Sequence, residues 1–427
     1  MRAHTGRGSN PHRHLAIASV VVSGAVAGLV SSALPAAAMT VSVATETEYR
    51  NALTTLSGDN TGPHVIEVTA DLSITGGTDP VYAGTQPLTI NGNGHTISGG
   101  GTRRILEYSS GADLAINDLT VTQGAASTGL GGAITTVTAD ITVTNSTFSG
   151  NTASSGAAGL GGAIQSTSGD VTVAASTFSG NTASGSTAGL GGAIQATGGD
   201  VTATNSTFSG NTASSPAAAL GGAIQATGGD VTATNSTLTG NTASSPTAAL
   251  GGAIQNTGGD TALAYATVVE NTAATGASLS IDDFTSFGSV VALPQGGGSN
   301  CSVNGVPTSN GFNFSDDTSC GFTGTGDTED GPDPQLQALG AFGGPTETRA
   351  PEVTSPLVDA IPVGDCDPAL TADQRGEGRP ADGDSDGTLG CDIGAVELQP
   401  VAAPEPEPPA PTPEPVGPVA AAPSFTG

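Results

Sequence analysis

The chain has 427 residues, with 38 acidic side chains against 9 lysines and arginines, for a net charge of −29. A surface this acidic repels phosphate backbones and anionic lipid, which excludes nucleic acid as a partner and suits solubility or divalent cations. The 65 glycines lack a three-residue period, and with no Trp and 3% aromatic residues they point to disorder or to a repetitive fold.

In chain order, Arg2, Arg7 and Arg13 precede the uncharged run from Leu15 to Val30, then Pro35 and the small-residue site Ala36-Ala37-Ala38. That order reads as a signal peptide over 1–38, cleaved on the general secretory route. The competing reading is an uncleaved anchor, for which Gly24, Gly28 and several Ser and Ala make a poor permanent span. Cleavage removes three arginines and no acid, so the mature chain is more acidic still.

Residues 39–118 read as an N-terminal cap followed by irregular coils. Thr45 to Leu56 starts on a Thr with Glu48 three residues on, and sets Tyr49, Ala52, Leu53 and Leu56 on one face. These features predict a short amphipathic helix that blunts an open sheet edge. Short apolar stretches follow at Val65 to Val68, Leu72 to Ile74, Leu88 to Ile90, His95 to Ile97, Ile105-Leu106 and Leu114 to Val121. His95, within Asn91-Gly-Asn-Gly-His95, reads as a turn-to-strand residue rather than a base.

Residues 119–298 carry a regular 30-residue repeat. Gly131-Gly132-Ala133-Ile134 recurs at 161–164, 191–194, 221–224 and 251–254. At fixed phase sit Phe148 to Asn151, Phe178 to Asn181, Phe208 to Asn211, then Leu238 to Asn241 and Val268 to Asn271. Between them, segments such as Ile141-Thr-Val-Thr144 alternate with the period of two that marks a strand. One copy cannot close a core, so the copies must stack, with coils about 4.8 Å apart. Ile134, Ile164, Ile194, Ile224 and Ile254 then form one interior ladder, and Phe148, Phe178 and Phe208 another. The expected fold is all-β, a right-handed parallel β-helix of the pectate-lyase-like kind. Its paired glycines make sharp turns against the next coil, and the Asn residues form a hydrogen-bonded ladder.

Asp140, Asp170, Asp200, Asp230 and Asp260 recur with the same period. Each reads as a turn Asp capping its own backbone, with a calcium ladder as the alternative, since stacked carboxylates repel by about 1 kcal/mol per neighbour. Thr142/Thr144, Thr202/Thr204 and Thr232/Thr234 are outward Thr-x-Thr pairs, which raises an ice-binding β-helix as a minor alternative. Asp282-Asp283 is an acid pair expected in a loop.

Residues 299–398 hold Cys301, Cys320, Cys366 and Cys391, which in an exported chain are disulfide candidates. Pairing of sequence neighbours is one of three connectivities. No Cys-x-x-Cys pair argues for zinc. Asp382, Asp384 and Asp386, followed by Gly387, match the opening of a calcium loop, and these three are the metal-ligand candidates, with calcium as the candidate ion. Ile393 stands where a full EF-hand needs Glu. Residues 399–427 form an acidic proline-rich tail.

The Gly-Gly-Ala-Ile and Phe-x-x-Asn motifs over residues 119–275 resemble the polymorphic outer membrane protein repeat of bacterial surface β-helix proteins. The final domain resembles the choice-of-anchor Q domain. The residues that carry this second likeness are Gly343 to Thr348, Ser355 to Ala360, Asp373-Gln374-Arg375-Gly376, Arg379-Pro380 and Cys391 to Glu397. These resemblances imply a secreted or cell-surface protein with adhesion as its role. The expected mature chain is a monomer without a membrane span, and its partner is a surface or matrix ligand.

Polysaccharide lyases and glycoside hydrolases share the scaffold and form the alternative. Against them, no Arg, Lys or His lies between Arg104 and Arg349, so the regular coils have no base and no cation to hold an acidic sugar. No catalytic residue and no organic cofactor is assigned, and the chain is read as a non-enzyme.

Overall fold

The computed structural model describes residues 38–400 and Gly417. The expected signal peptide, apart from Ala38, and the expected proline-rich tail from residue 401 onward, apart from Gly417, lie outside the described residues.

Residues 39–315 wind as a right-handed parallel β-solenoid, with one helix among the described residues. Three long sheets form its walls. The first has 11 strands from Met39–Val43 to Thr308–Ser309, the second 10 from Leu72–Ser73 to Phe314–Ser315, and the third 9 from Val81–Tyr82 to Cys301–Val303. Every pairing among them is parallel and in register with the sequence repeat. Ile134 faces Ile164, Ile164 faces Ile194, and Phe148 faces Phe178. Alternation puts those side chains inside, where Phe148, Phe178 and Phe208 stack with centroids 4.9 and 5.1 Å apart and rings within 11° of parallel.

The ladder residues at the corners explain the repeat. In each pair Gly131-Gly132 to Gly251-Gly252 the first glycine is left-handed, with φ between 52° and 64°. A Cβ on the second, as at Gly162, would collide with the carbonyl oxygen of Gly192 and the backbone of Thr182. The Asn ladder is continuous: the side-chain amide of Asn181 donates to Asn211 Oδ1 at 2.9 Å and to Phe148 O at 2.9 Å, while its own oxygen accepts from Asn151.

The helix Glu46–Ser57 closes the N-terminal end of the core with Tyr49, Ala52, Leu53 and Leu56 buried, the face its sequence predicts. Thr45 caps it, accepting from the Glu48 amide, while the Glu48 carboxylate accepts from Ala44 N.

Three features depart from the sequence reading. Beyond Asn271 the coils shorten but the stacking goes on, as Ile254 pairs with Leu279 and Leu279 with Cys301. The turn between the first and second sheets is a single left-handed residue, Asn145, Ala175, Asn205, Asn235 or Tyr265, with φ of 45–50°. Each regular coil also makes an excursion between the second and third sheets. In one coil Thr152–Ser155 runs out and Ala158–Leu160 returns, and the copies stack into sheets of five and four strands. The inward side of this fin is Ala153, Ala183, Ala213 and Ala243 against Gly159, Gly189, Ala219 and Ala249, residues too small to advertise a strand.

Candidate functional site

The outer face of the first sheet carries two straight columns fixed by strand register. One column is Thr142, Thr172, Thr202, Thr232, Ala262, Thr285 and Thr308; the other is Thr144, Ala174, Thr204, Thr234, Ala264 and Phe287. Beside them runs the Asp ladder. Each carboxylate accepts the backbone N–H of the Asp one coil later: Asp140 from Asp170 at 2.9 Å, then Asp170 from Asp200, Asp200 from Asp230 and Asp230 from Asp260 at 2.8 Å. The expectation that each caps its own backbone is therefore corrected, because the strand spacing brings the next coil's amide closer. One oxygen of each is engaged in this way. Burial, then the charges of Asp230 and Asp283, raises the carboxyl of Asp260.

Asp283 extends this ladder. It opens the strand Asp283–Phe287 opposite Asp260, rather than lying in a loop. Asp282 accepts from Gly258 N and Asn304 Nδ2, which holds its carboxyl below the usual range. His95 is a turn residue beside Asp71, 3.4 Å away. His64 is buried, with Nδ1 2.7 Å from the Tyr82 hydroxyl.

The C-terminal segment folds back onto the second sheet. Gln374 donates to Thr207 Oγ1 at 2.8 Å and Thr346 Oγ1 at 2.9 Å, and accepts from Thr237 Oγ1 at 2.7 Å. Ala395 N donates to Thr267 Oγ1, and Arg349 grips Glu270 through both terminal nitrogens at 2.7 and 2.8 Å. The guanidinium of Arg379 lies 4.2 Å over the Tyr265 ring.

Behind this contact the charged residues of the segment form a closed knot. Glu397 accepts from Arg379 Nη1, Ala381 N and Asp392 N at 2.7–2.8 Å. Asp392 accepts from Asp359 N and Leu398 N, and Asp373 from Arg375 and Glu397 N. Burial, followed by the charge of Glu397, pushes the Asp392 carboxyl up to about 7, and burial raises Glu397 as well. Both are 0% exposed, so no substrate reaches this acid pair. It holds the segment together. The disulfides Cys301–Cys320 and Cys366–Cys391 pin the two ends of the region.

The acidic loop lies at the edge of that knot. Asp382 and Asp384 come together with Asp359, one oxygen of each lying within 4.8 Å of the others. Asp386 is turned away to accept Thr388 N at 2.7 Å. Asp384 accepts from Asp386 N, Asp382 from Gly387 N, and Asp359 from Gly383 N. The second oxygens of Asp359 and Asp382 are shielded from solvent without a hydrogen-bond partner. Burial raises the Asp359 carboxyl against its amide hydrogen bonds, and the charges of Asp384 and Asp382 add to the rise. An all-oxygen donor set of this kind suits a hard cation. Asp359 was not among the sequence candidates because it comes from a different turn of chain.

No helix among the described residues is long and apolar enough to cross a membrane. Fold and ladders together define a right-handed parallel β-helix of repeated coils. Three of those coils, residues 145–167, 175–197 and 205–227, are similar to the Chlamydia polymorphic membrane protein repeat. Each matched stretch runs from the left-handed turn residue through the buried Asn and the fin to the third sheet. Searches of curated proteins and of solved structures return no match.

Proposed function

We propose that the chain is an exported, non-enzymatic surface protein whose β-helix presents a long, acidic, Ser/Thr-rich face for adhesion. The observation that carries this reading is the regular coils themselves. They are similar to a surface-protein repeat, and along their first-sheet edge runs the Asp ladder, in which Asp140, Asp170, Asp200 and Asp230 each accept the backbone N–H of the next coil. Such a surface is rigid and repetitive, suited to many weak contacts along its length.

In this reading residues 1–38 are removed on export and residues 299–398 form a choice-of-anchor Q-like domain. Supporting that assignment, Asp373, Gln374, Arg379, Asp392 and Glu397 are the residues that knot the segment and dock it on the solenoid. Calcium is proposed at Asp382, Asp384 and Asp359, with Asp386 at the loop's rim.

The test applies the full mature chain to immobilised matrix proteins and cell surfaces at physiological calcium, and in parallel to a panel of uronide polymers. Saturable binding without turnover is expected. Release of unsaturated oligosaccharides from any polymer overturns the reading. For calcium, chelation is expected to lower Tm, and Asp382→Asn to remove that dependence; an unchanged Tm on chelation rejects the ion.

A further inference from the structure

Along the first sheet the two outward columns are threonine for most of their length, and then break. At one rung both positions become alanine, Ala262 and Ala264, and on the next rung Phe287 follows in the second column. Two missing side-chain branches leave a hollow in an otherwise flat face. Opposite the hollow stands the loop from Gly364 to Pro368, tied down by Cys366–Cys391 and by Asp367 N donating to the Tyr265 hydroxyl at 3.2 Å. Sheet and loop enclose a cleft of about 490 Å³. That volume lies within the roughly 300–1,000 Å³ of small-ligand sites.

The cleft's chemistry selects a class of ligand. Phe287 supplies a half-buried aromatic wall, braced edge-on by Tyr265 with centroids 5.3 Å apart. Thr232, Thr285 and Asn310 line the cleft from the sheet side, and Asp365 and Asp367 from the loop side. Among the described residues the side chains of Thr232, Thr285, Asn310 and Asp365 have no hydrogen-bond partner, while Asp367 is engaged by Ala369 N. No basic residue lines it, and the chain carries −29, so an anionic ligand is repelled. An organic ammonium has donors only, so it pairs with the acids but accepts nothing from the hydroxyls or the amide N–H groups. A neutral polyol uses every group: its hydroxyls donate to Asp365 and exchange bonds with Thr232, Thr285 and Asn310, and its C–H face lies on Phe287.

We propose that this cleft, set into the outer face of the first sheet, binds the end of a neutral oligosaccharide. The test titrates the full mature chain with fragments of neutral glucan, mannan, xylan and galactan, with oligogalacturonate and an alkyl amine as the opposing arms. The double substitution Ala262→Thr/Ala264→Thr fills the hollow with the residues that the coil at 232 and 234 already carries, so the fold is kept. Saturable binding of at least one neutral fragment is expected, weakened roughly tenfold or more in the filled variant with Tm unchanged. Asp365→Asn, a surface change, is expected to weaken the same fragment. Binding of no neutral fragment, preference for the uronate or the amine, or equal affinity in the filled variant each overturns the proposal. Matrix binding of the filled variant is measured in parallel, and its retention with loss of the fragment separates this site from adhesion along the coils.

Discussion

Asn181 makes four hydrogen bonds inside a core that water does not reach, two through its amide nitrogen and two through its oxygen. Replacing it with Ala orphans groups above and below it in the ladder. Asn181→Ala is expected to cost about 2–4 kcal/mol, since each buried group left unpaired costs about 1–3. Urea denaturation measures it, and a loss below a few tenths of a kcal/mol contradicts a structural ladder. Ala175 is the converse case. It holds a left-handed φ of 49° where the coils on either side have Asn145 and Asn205. A residue with a Cβ is strained there by about 1 kcal/mol, and Asn tolerates the region best after Gly. Ala175→Asn is therefore expected to stabilise by up to about 1 kcal/mol in the same experiment. The Asn ladder was legible in the sequence because one residue type meets one requirement in every coil. The left-handed turn was not, because Asn, Ala and Tyr all occupy it.

At the scale of elements, the C-terminal knot gives the protein a definite response to pH. An Asp in the unfolded chain titrates near 3.9, whereas Asp392 in the fold is pushed up to about 7. Between those values the folded protein holds a proton the unfolded chain has released, so this group's contribution to stability falls as pH rises from about 4 to about 7. Glu397, Asp359 and Asp260 are shifted in the same direction. Glu270, held low by Arg349, and Asp282, held low by Asn304, act oppositely and lose stability as pH falls through the acid range. Thermal melts from pH 3 to pH 8 are expected to peak in the mildly acidic range and decline toward neutrality; a Tm that climbs steadily to pH 8 contradicts this. The motif residues that carry the knot stood out in the sequence, but their convergence did not, since they come from turns with no strand pattern between them. The fin escaped for a related reason: Thr-Ala-Ser-Ser and Ala-Gly-Leu carry no large apolar residue to betray a strand.

The whole molecule behaves as a stack in which each coil meets only its neighbours, and that fixes what can be removed. Deleting residues 151–180 takes out one repeat and leaves Asn181 following Gly150, so Asn, Phe and Ile ladders close in register. The rungs that receive Gln374 and Ala395 are untouched. The shortened chain is expected to fold with unchanged circular dichroism per residue, and a 15-residue deletion from the same site to fail. The uniform coils were readable in advance for the same reason that they can be deleted, since each repeats one solution. The shortened coils after Asn271 were not, because spacing changed while stacking did not.

The claim that this stack works outside the cell is tested most directly by fractionating the producing cells. Expected is a chain beginning near Met39 in the surface or medium fraction, cleaved by protease added to intact cells, with Cys301–Cys320 and Cys366–Cys391 oxidised. A chain retained in the cytosol, shielded from that protease and carrying four free thiols, contradicts the account.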